Sequence, residues 1–186
     1  MSLAHAILSF LSDRACSGYD LAKNFDGSVG FFWNASHQQI YRELTKLESL
    51  GWLHYEAVTQ AGKPDKKLYR MTEVGRRELI DWICQPSELT PIKEELLVKI
   101  YAGDYVSPNV ILKHLERHYQ AHQERLAIYQ NIRQQYFQNP EALPQASKFQ
   151  YLTLLSGLHY EQGQVDWCEE AIAFLRAEVE KAQNRS

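Results

Sequence analysis

The sequence predicts a mainly α chain with a small β-hairpin wing, arranged as two parts that meet near residue 86. Three observations carry that expectation. Apolar residues recur at helical spacing in three short segments before Gly51. From Leu53 to Met71 the period shortens to strand-like alternation on either side of a Gly-Lys-Pro-Asp turn. Beyond Pro86 the pattern is almost wholly helical, in two long runs.

The elements follow in order. Leu3, Ile7, Leu8 and Leu11 share one face of a first helix over residues 3–12. Ser17 stands where an N-cap belongs, with Asp20 three residues on as in a capping box, and Leu21, Ala22 and Phe25 form the inner side of a second helix. The glycines of Asp26-Gly27-Ser28-Val29-Gly30 mark a loop. Ser36 and Gln39 repeat the capping box for a third helix, whose inner stripe is Ile40, Leu44, Leu47 and Leu50 and whose stop is Gly51. Leu53, Tyr55 and Ala57 then alternate with His54, Glu56 and Val58 in a half-exposed strand. Residues 61–65 turn the chain, and residues 66–71 return it. Thr72 caps a further helix with Val74, Leu79, Trp82 and Ile83 as its apolar residues. Leucines, isoleucines and Trp82 are assigned to core. Helix, helix, helix, strand, hairpin tip, strand, helix is the order of a winged helix-turn-helix, here residues 1–85.

Residues 86–186 open on the boundary Pro86-Ser87-Glu88-Leu89-Thr90-Pro91. Ile92, Leu96, Leu97 and Ile100 suggest a short helix, and Asp104 to Pro108 a break. Leu112, Leu115, Tyr119, His122, Leu126, Tyr129, Arg133 and Tyr136 then follow spacings of three and four, the seam of a long helix. Asn139-Pro140 and Pro144 interrupt. A last helix over about 147–182 carries Val165, Cys168, Ile172, Leu175 and Val179 in the same alternation. This half is therefore an antiparallel helical domain. Its helices are longer than it can bury alone, so a second copy is expected, paired through Leu112, Leu115, Tyr119, Leu126, Tyr129, Val165, Ile172 and Leu175.

Bulk properties bound the setting. Forty-five per cent hydrophobic and 23% charged residues in a chain of 186 permit a conventional core. No apolar run approaches the ~20 residues that span a bilayer, and the N-terminus lacks the basic start and cleavage pattern of a signal peptide. Cys16, Cys84 and Cys168 show neither disulfide nor zinc spacing, so a reducing cytoplasm is expected. The net charge is −3, but residues 60–77 hold six basic residues against two acidic ones. Residues 86–186 hold ten against thirteen. Such concentration of positive charge is the pattern of a nucleic-acid footprint, and equally of a solvated surface.

The outward face of the third helix carries Gln38, Tyr41, Arg42 and Thr45 at i, i+3, i+4 and i+7. Glutamine pairs bidentately with adenine and arginine with guanine, so this face suits a major groove. Ser36, His37 and Gln39 lie at the helix N-terminus, where phosphates are attracted. Lys63, Lys66 and Lys67 on the wing, and Tyr19 at the start of the second helix, are the expected backbone contacts. The bland alternatives are that Tyr41 packs on the helix edge and that the wing lysines are merely solvated.

The runs Trp33-Asn34-Ala35-Ser36-His37-Gln38-Gln39-Ile40-Tyr41-Arg42-Glu43-Leu44 and Leu47-Glu48-Ser49-Leu50-Gly51-Trp52-Leu53 resemble the PadR family of bacterial transcriptional regulators. So do Ser17-Gly18-Tyr19-Asp20-Leu21 and the stretch from Gly62 to Arg76. Leu158-His159-Tyr160-Glu161 and Trp167-Cys168-Glu169-Glu170-Ala171 are similar, more loosely, to its branch with a long helical dimerisation domain. The resemblance implies a homodimer on a two-fold-related duplex operator, usually as a repressor, in some members answering to a small phenolic molecule. A small aromatic effector would then meet Tyr119, His122, Tyr151, His159 and Trp167, although such aromatics more often serve interhelical packing.

Other chemistries find less support. His114, His118 and His122 are spaced by four, with Glu116 and His159 as conceivable further ligands, but no metal motif such as His-Glu-x-x-His is present and no metal is expected. There is no phosphate loop and no Gly-x-Ser-x-Gly elbow, so neither cofactor nor enzyme activity is expected. The competing reading is a winged-helix adaptor acting through a protein partner.

Overall fold

Three capped helices and a hairpin build the N-terminal unit of the computed structural model, which describes residues 3–12, 14–25, 35–60, 63–89 and 91–183. Side chains are described for these residues except 24, 60, 63–65, 182 and 183. The chain forms two compact units, Met1–Leu89 and Thr90–Ser186.

In the first unit α1 (Leu3–Phe10) is followed by β1 (Cys16–Ser17), α2 (Gly18–Phe25), α3 (His37–Ser49), β2 (Leu53–Gln60), β3 (Lys63–Met71) and α4 (Glu73–Ile83). Each helix start after α1 has its own side-chain cap. The Asp20 amide donates to Ser17 Oγ at 3.0 Å. Ser36 and Gln39 form a reciprocal capping box, and Thr72 accepts from the Gly75 amide. Caps of this kind satisfy N–H groups that a helix leaves orphaned. The end of α3 is a Schellman motif. Gly51 takes φ +70°, its amide donates to Glu48 O at 2.9 Å, and the Trp52 amide reaches back to Leu47 O at 2.9 Å.

The core of this unit joins Ile7, Leu8 and Leu11 of α1 and its exit to Leu21 and Phe25 of α2, Ile40, Leu44 and Leu47 of α3, and Leu53 and Leu79. The sheet has order β1-β3-β2, all antiparallel. The two-residue β1 has no sequence period of its own. It pairs Cys16 with Tyr69 and Ser17 with Leu68, which fastens the start of α2 to the wing.

Several burial expectations need correction. Leu50 lies beyond the last helical residue at the C-cap and is half exposed. Val74, Ile80 and Ile83 of α4 are exposed, Trp82 is partly buried, and Leu79 supplies the apolar burial of that helix. Along β2 Leu53 is buried, while Tyr55 to Val58 are exposed on both faces. The hairpin projects past the core, so alternation there has no inside to report. β3 begins at Lys63, earlier than expected, and residues 61 and 62 of the turn lie outside the described residues. So do residues 26–34, including the expected loop.

The second unit contains α5 (Glu95–Tyr101), a 3-10 turn at Gly103–Tyr105, α6 (Pro108–Tyr136), a second 3-10 turn at Pro140–Ala142, and α7 (Gln145–Gln183). Ile92 is exposed and precedes α5, and Leu97 is also exposed. At ~1.5 Å per residue α6 and α7 are about 44 and 58 Å long. They run antiparallel. Glu116 meets Arg176, Tyr119 meets Glu169, and His122 meets Glu161, so the partner number falls as the α6 number rises. Six of the eight residues expected at a seam between chains, Leu112, Leu115, Leu126, Tyr129, Val165 and Ile172, are buried within this one chain, while Tyr119 and Leu175 are partly buried against it. Their spacing is real, but an intrachain helix pair satisfies it. Among the described residues no helix is long and apolar enough to cross a membrane.

Candidate nucleic-acid interface

The capping box that starts α3 also decides which of its side chains are available. Gln39 Oε1 accepts from the Ser36 amide at 2.8 Å, and Ser36 Oγ accepts from the Gln39 amide at 3.3 Å. Both residues are committed to the helix start in the free protein. His37, Gln38, Tyr41, Arg42 and Thr45 are exposed, on the side away from buried Ile40, Leu44 and Leu47. The Thr45 hydroxyl donates to Tyr41 O at 3.1 Å, which leaves its methyl and a lone pair to face outward. Arg42 makes no ion pair among the described residues, so its fork of donors is unspent.

Tyr41 packs on the helix edge and is still exposed. Its ring lies over Gly18 at the start of α2, where a Cβ would stand 2.7 Å from Tyr41 Cε1. Yet the side chain remains exposed at its outer edge. Tyr19 is exposed on the same turn of α2. The side chain of Lys63 lies outside the described residues.

The wing's charge is not what the sequence count suggests. Lys66 Nζ lies 2.7 Å from Asp20 Oδ2. Lys67 Nζ lies 3.8 Å above the Tyr55 ring and 4.0 Å from Glu48. Arg70 pairs with Glu56 at 3.6 Å and Arg76 with Glu73 at 3.8 Å. Three of those four acids lie outside residues 60–77, so folding brings negative charge to a segment that reads as basic in sequence. Hydrogen bonds from Lys66 and then from Ser17 hold the Asp20 carboxyl below its ordinary value, and Asp20 in turn raises Lys66. The residues missed by sequence reasoning are therefore Asp20, Glu48, Glu56 and Tyr55. Asp20 is legible as a cap, but nothing local announces a partner 46 positions away.

In the helical unit the expected effector residues do not converge. Tyr119 donates to Glu169 at 2.6 Å, Tyr151 lies 5.6 Å from the Phe137 ring, and Trp167 packs beside the Leu115 cluster. His159 is exposed. His122 alone of the five lines a groove of about 480 Å³, shared with Ile92, Lys93, Glu94, His118, Ala121, Arg125 and Tyr160. Behind it Glu161, 2% exposed, sits 2.5 Å from His122 Nδ1 and 3.4 Å from Arg125 Nη1. Burial pushes the Tyr160 phenol up, so it remains a hydrogen-bond donor at neutral pH. The His118 and His122 rings are 6.2 Å apart, and no group of three or more metal-ligating side chains occurs among the described residues.

Comparison with known proteins finds relatives of the same fold. The model of the transcriptional regulator PadR-like family matches residues 7–81, and that of the virulence activator alpha C-terminal region matches residues 92–176. A protein of Mycobacterium tuberculosis described as a probable transcriptional regulator is 37% identical, over 95% of this chain and 98% of its own length. Bacillus subtilis PadR in complex with operator DNA superposes with TM-score 0.81 at 29% identity, over 93% of this chain and 98% of that one. PadR has also been solved in complex with p-coumaric acid, with TM-score 0.76 at 27% identity over 94% and 98% of the two chains. The Vibrio cholerae virulence activator AphA superposes with TM-score 0.77 at 34% identity, over 95% and 99%.

Proposed function

The chain belongs to the PadR-like family of transcriptional regulators, which are not enzymes, and we propose that it is a homodimeric repressor that reads duplex DNA through α3. The observation that carries this reading is the exposed row Gln38, Tyr41, Arg42 and Thr45 on a firmly capped helix, with Arg42 unpaired among the described residues. A bidentate arginine or glutamine on a base edge supplies about 1–3 kcal/mol of discrimination. Tyr19, His37 and the wing lysines supply phosphate contacts that set register. The operator complex of PadR supports the same use of this fold. A repressor of chromosomal genes would act in the cytoplasm.

A second copy is favoured by apolar side chains left at the connector end of the helix pair, Tyr136, Phe149 and Leu152, all exposed in the single chain. The ligand reading moves from the five residues expected to the groove of His122, Arg125 and Tyr160, which offers cationic and phenolic donors beside an apolar wall. A small aromatic acid fits that chemistry, and PadR's complex with p-coumaric acid is a precedent within the family. Repression is relieved if the ligand favours a dimer whose half-site spacing no longer suits DNA.

The test is fluorescence anisotropy with duplex from just upstream of the protein's own gene, against random duplex, over a salt series, repeated with p-coumaric acid. Salt-dependent preference for the upstream duplex supports the regulator. Equal affinity for both, at every salt, speaks for the adaptor reading. Loss of the preference on adding the acid supports the effector site.

A further inference from the structure

We propose that Asp20 is an internal phosphate mimic: in the DNA-free protein its carboxylate holds Lys66, and so restrains sequence-independent binding to duplex. The proposal rests on the DNA-binding reading above. Asp20 stands in the first turn of α2 and Lys66 on β3, so the pair bridges the helix before α3 to the return strand of the wing. A carboxylate and a DNA phosphate present an ammonium with the same kind of anionic oxygen, so the two compete for one cation. Both partners keep more than a third of their side-chain surface exposed, at 36% and 41%, so the contact lies within reach of DNA. An exposed pair is weak. The pair therefore does not block binding through the other contacts; it keeps Lys66 on Asp20 and off a phosphate, and the effect is a brake.

The arrangement separates this role from that of a simple fastener. The start of α2 is capped by the Ser17 hydroxyl, which accepts from the Asp20 amide and donates to its carboxylate at 2.7 Å. β1 is already held to β3 by backbone pairing at Cys16 and Ser17. An asparagine at position 20 still offers an oxygen to Ser17, but carries no charge for Lys66. Lys67 repeats the theme, with Glu48 of α3 beside it and the Tyr55 ring beneath.

The experiment measures binding to a random-sequence duplex of about two helical turns, where base reading plays no part. Asp20→Asn is expected to steepen the slope of log K against log salt by about 0.9, one added phosphate neutralised, and to tighten binding several-fold at low salt. Asp20→Glu keeps the charge and is expected to restore the parent slope. Lys66→Ala in the Asp20→Asn background is expected to remove the gain. An unchanged slope in Asp20→Asn, or weaker binding rescued by Asp20→Glu, would overturn the proposal and make Asp20 a fastener. A gain that survives Lys66→Ala would overturn it as well, since a general charge effect would then suffice. If the parent protein binds no duplex at any salt, it is the DNA-binding reading that fails.

Discussion

The ring of Tyr41 rests on the backbone of Gly18, where the space for a Cβ is already taken by the ring edge at 2.7 Å. One contact thus ties the outward face of α3 to the N-terminal turn of α2. Gly18→Ala is expected to swing the Tyr41 ring outward, because the clash is with the free end of a side chain. The cost in folding is about 1 kcal/mol, the low end for overpacking. DNA affinity is expected to fall by more than the shift in urea midpoint explains. Equal affinity in the variant would remove Tyr41 from the interface.

Gly75 is a harder case. A Cβ there would strike the carbonyl oxygen of Trp52, with the Trp52 carbonyl carbon at 3.0 Å. The obstacle is backbone, held by the Thr72 amide at 3.0 Å. Gly75→Ala is expected to destabilise the winged unit by about 3 kcal/mol. Gly163, in α7, meets nothing within 4 Å, and Gly163→Ala is expected to stabilise by up to about 1 kcal/mol. Thermal melting of the two variants reads both signs.

His5 stacks on Trp82 with ring centroids 4.5 Å apart. Burial first, and the N-terminal amine second, hold its pKa below the ordinary histidine value, against a smaller opposing effect of Glu78. The unfolded chain therefore takes up this proton at higher pH than the folded one. Stability is full above the ordinary histidine value and is lost as pH falls from there toward the lowered folded value. Urea midpoints followed by tryptophan fluorescence should fall across that window in the parent, and fall less in His5→Phe.

Assembly separates two leucines. Leu126 is 9% exposed and Leu152 56% exposed in the single chain. Leu126→Glu is expected to unfold the helix pair. Leu152→Glu is expected to leave helicity intact while sedimentation velocity reports a shift toward monomer. A Leu152→Glu protein that remains fully dimeric would place the second copy on another face.

Much of this architecture was legible because its signals are local. The boxes at Ser36–Gln39 and Ser17–Asp20, the Gly51 stop and the cap at Thr72 each need only a few neighbouring residues, and each stands in the structure. Two kinds of feature were not legible. Periodicity shows that Leu112, Leu115 and Leu126 face something, but it does not say whether that is the same chain or another. Charge density along the sequence is also blind to Asp20 and Glu48, which fold onto the wing, and to Glu56, which pairs with Arg70 across the hairpin. The effector residues scattered for the same reason. Tyr151 and Trp167 are sixteen positions apart on one helix, about 24 Å along its axis.

Whether α3 reads bases turns on one side chain, Arg42. Arg42→Ala would be titrated against the upstream duplex and against random duplex at one fixed salt concentration. The expected result is a loss of about 1–3 kcal/mol on the upstream duplex and little change on the random one, so that discrimination narrows. An equal loss on both would mean that Arg42 touches only phosphate, and no loss on either would mean that α3 is not the recognition helix.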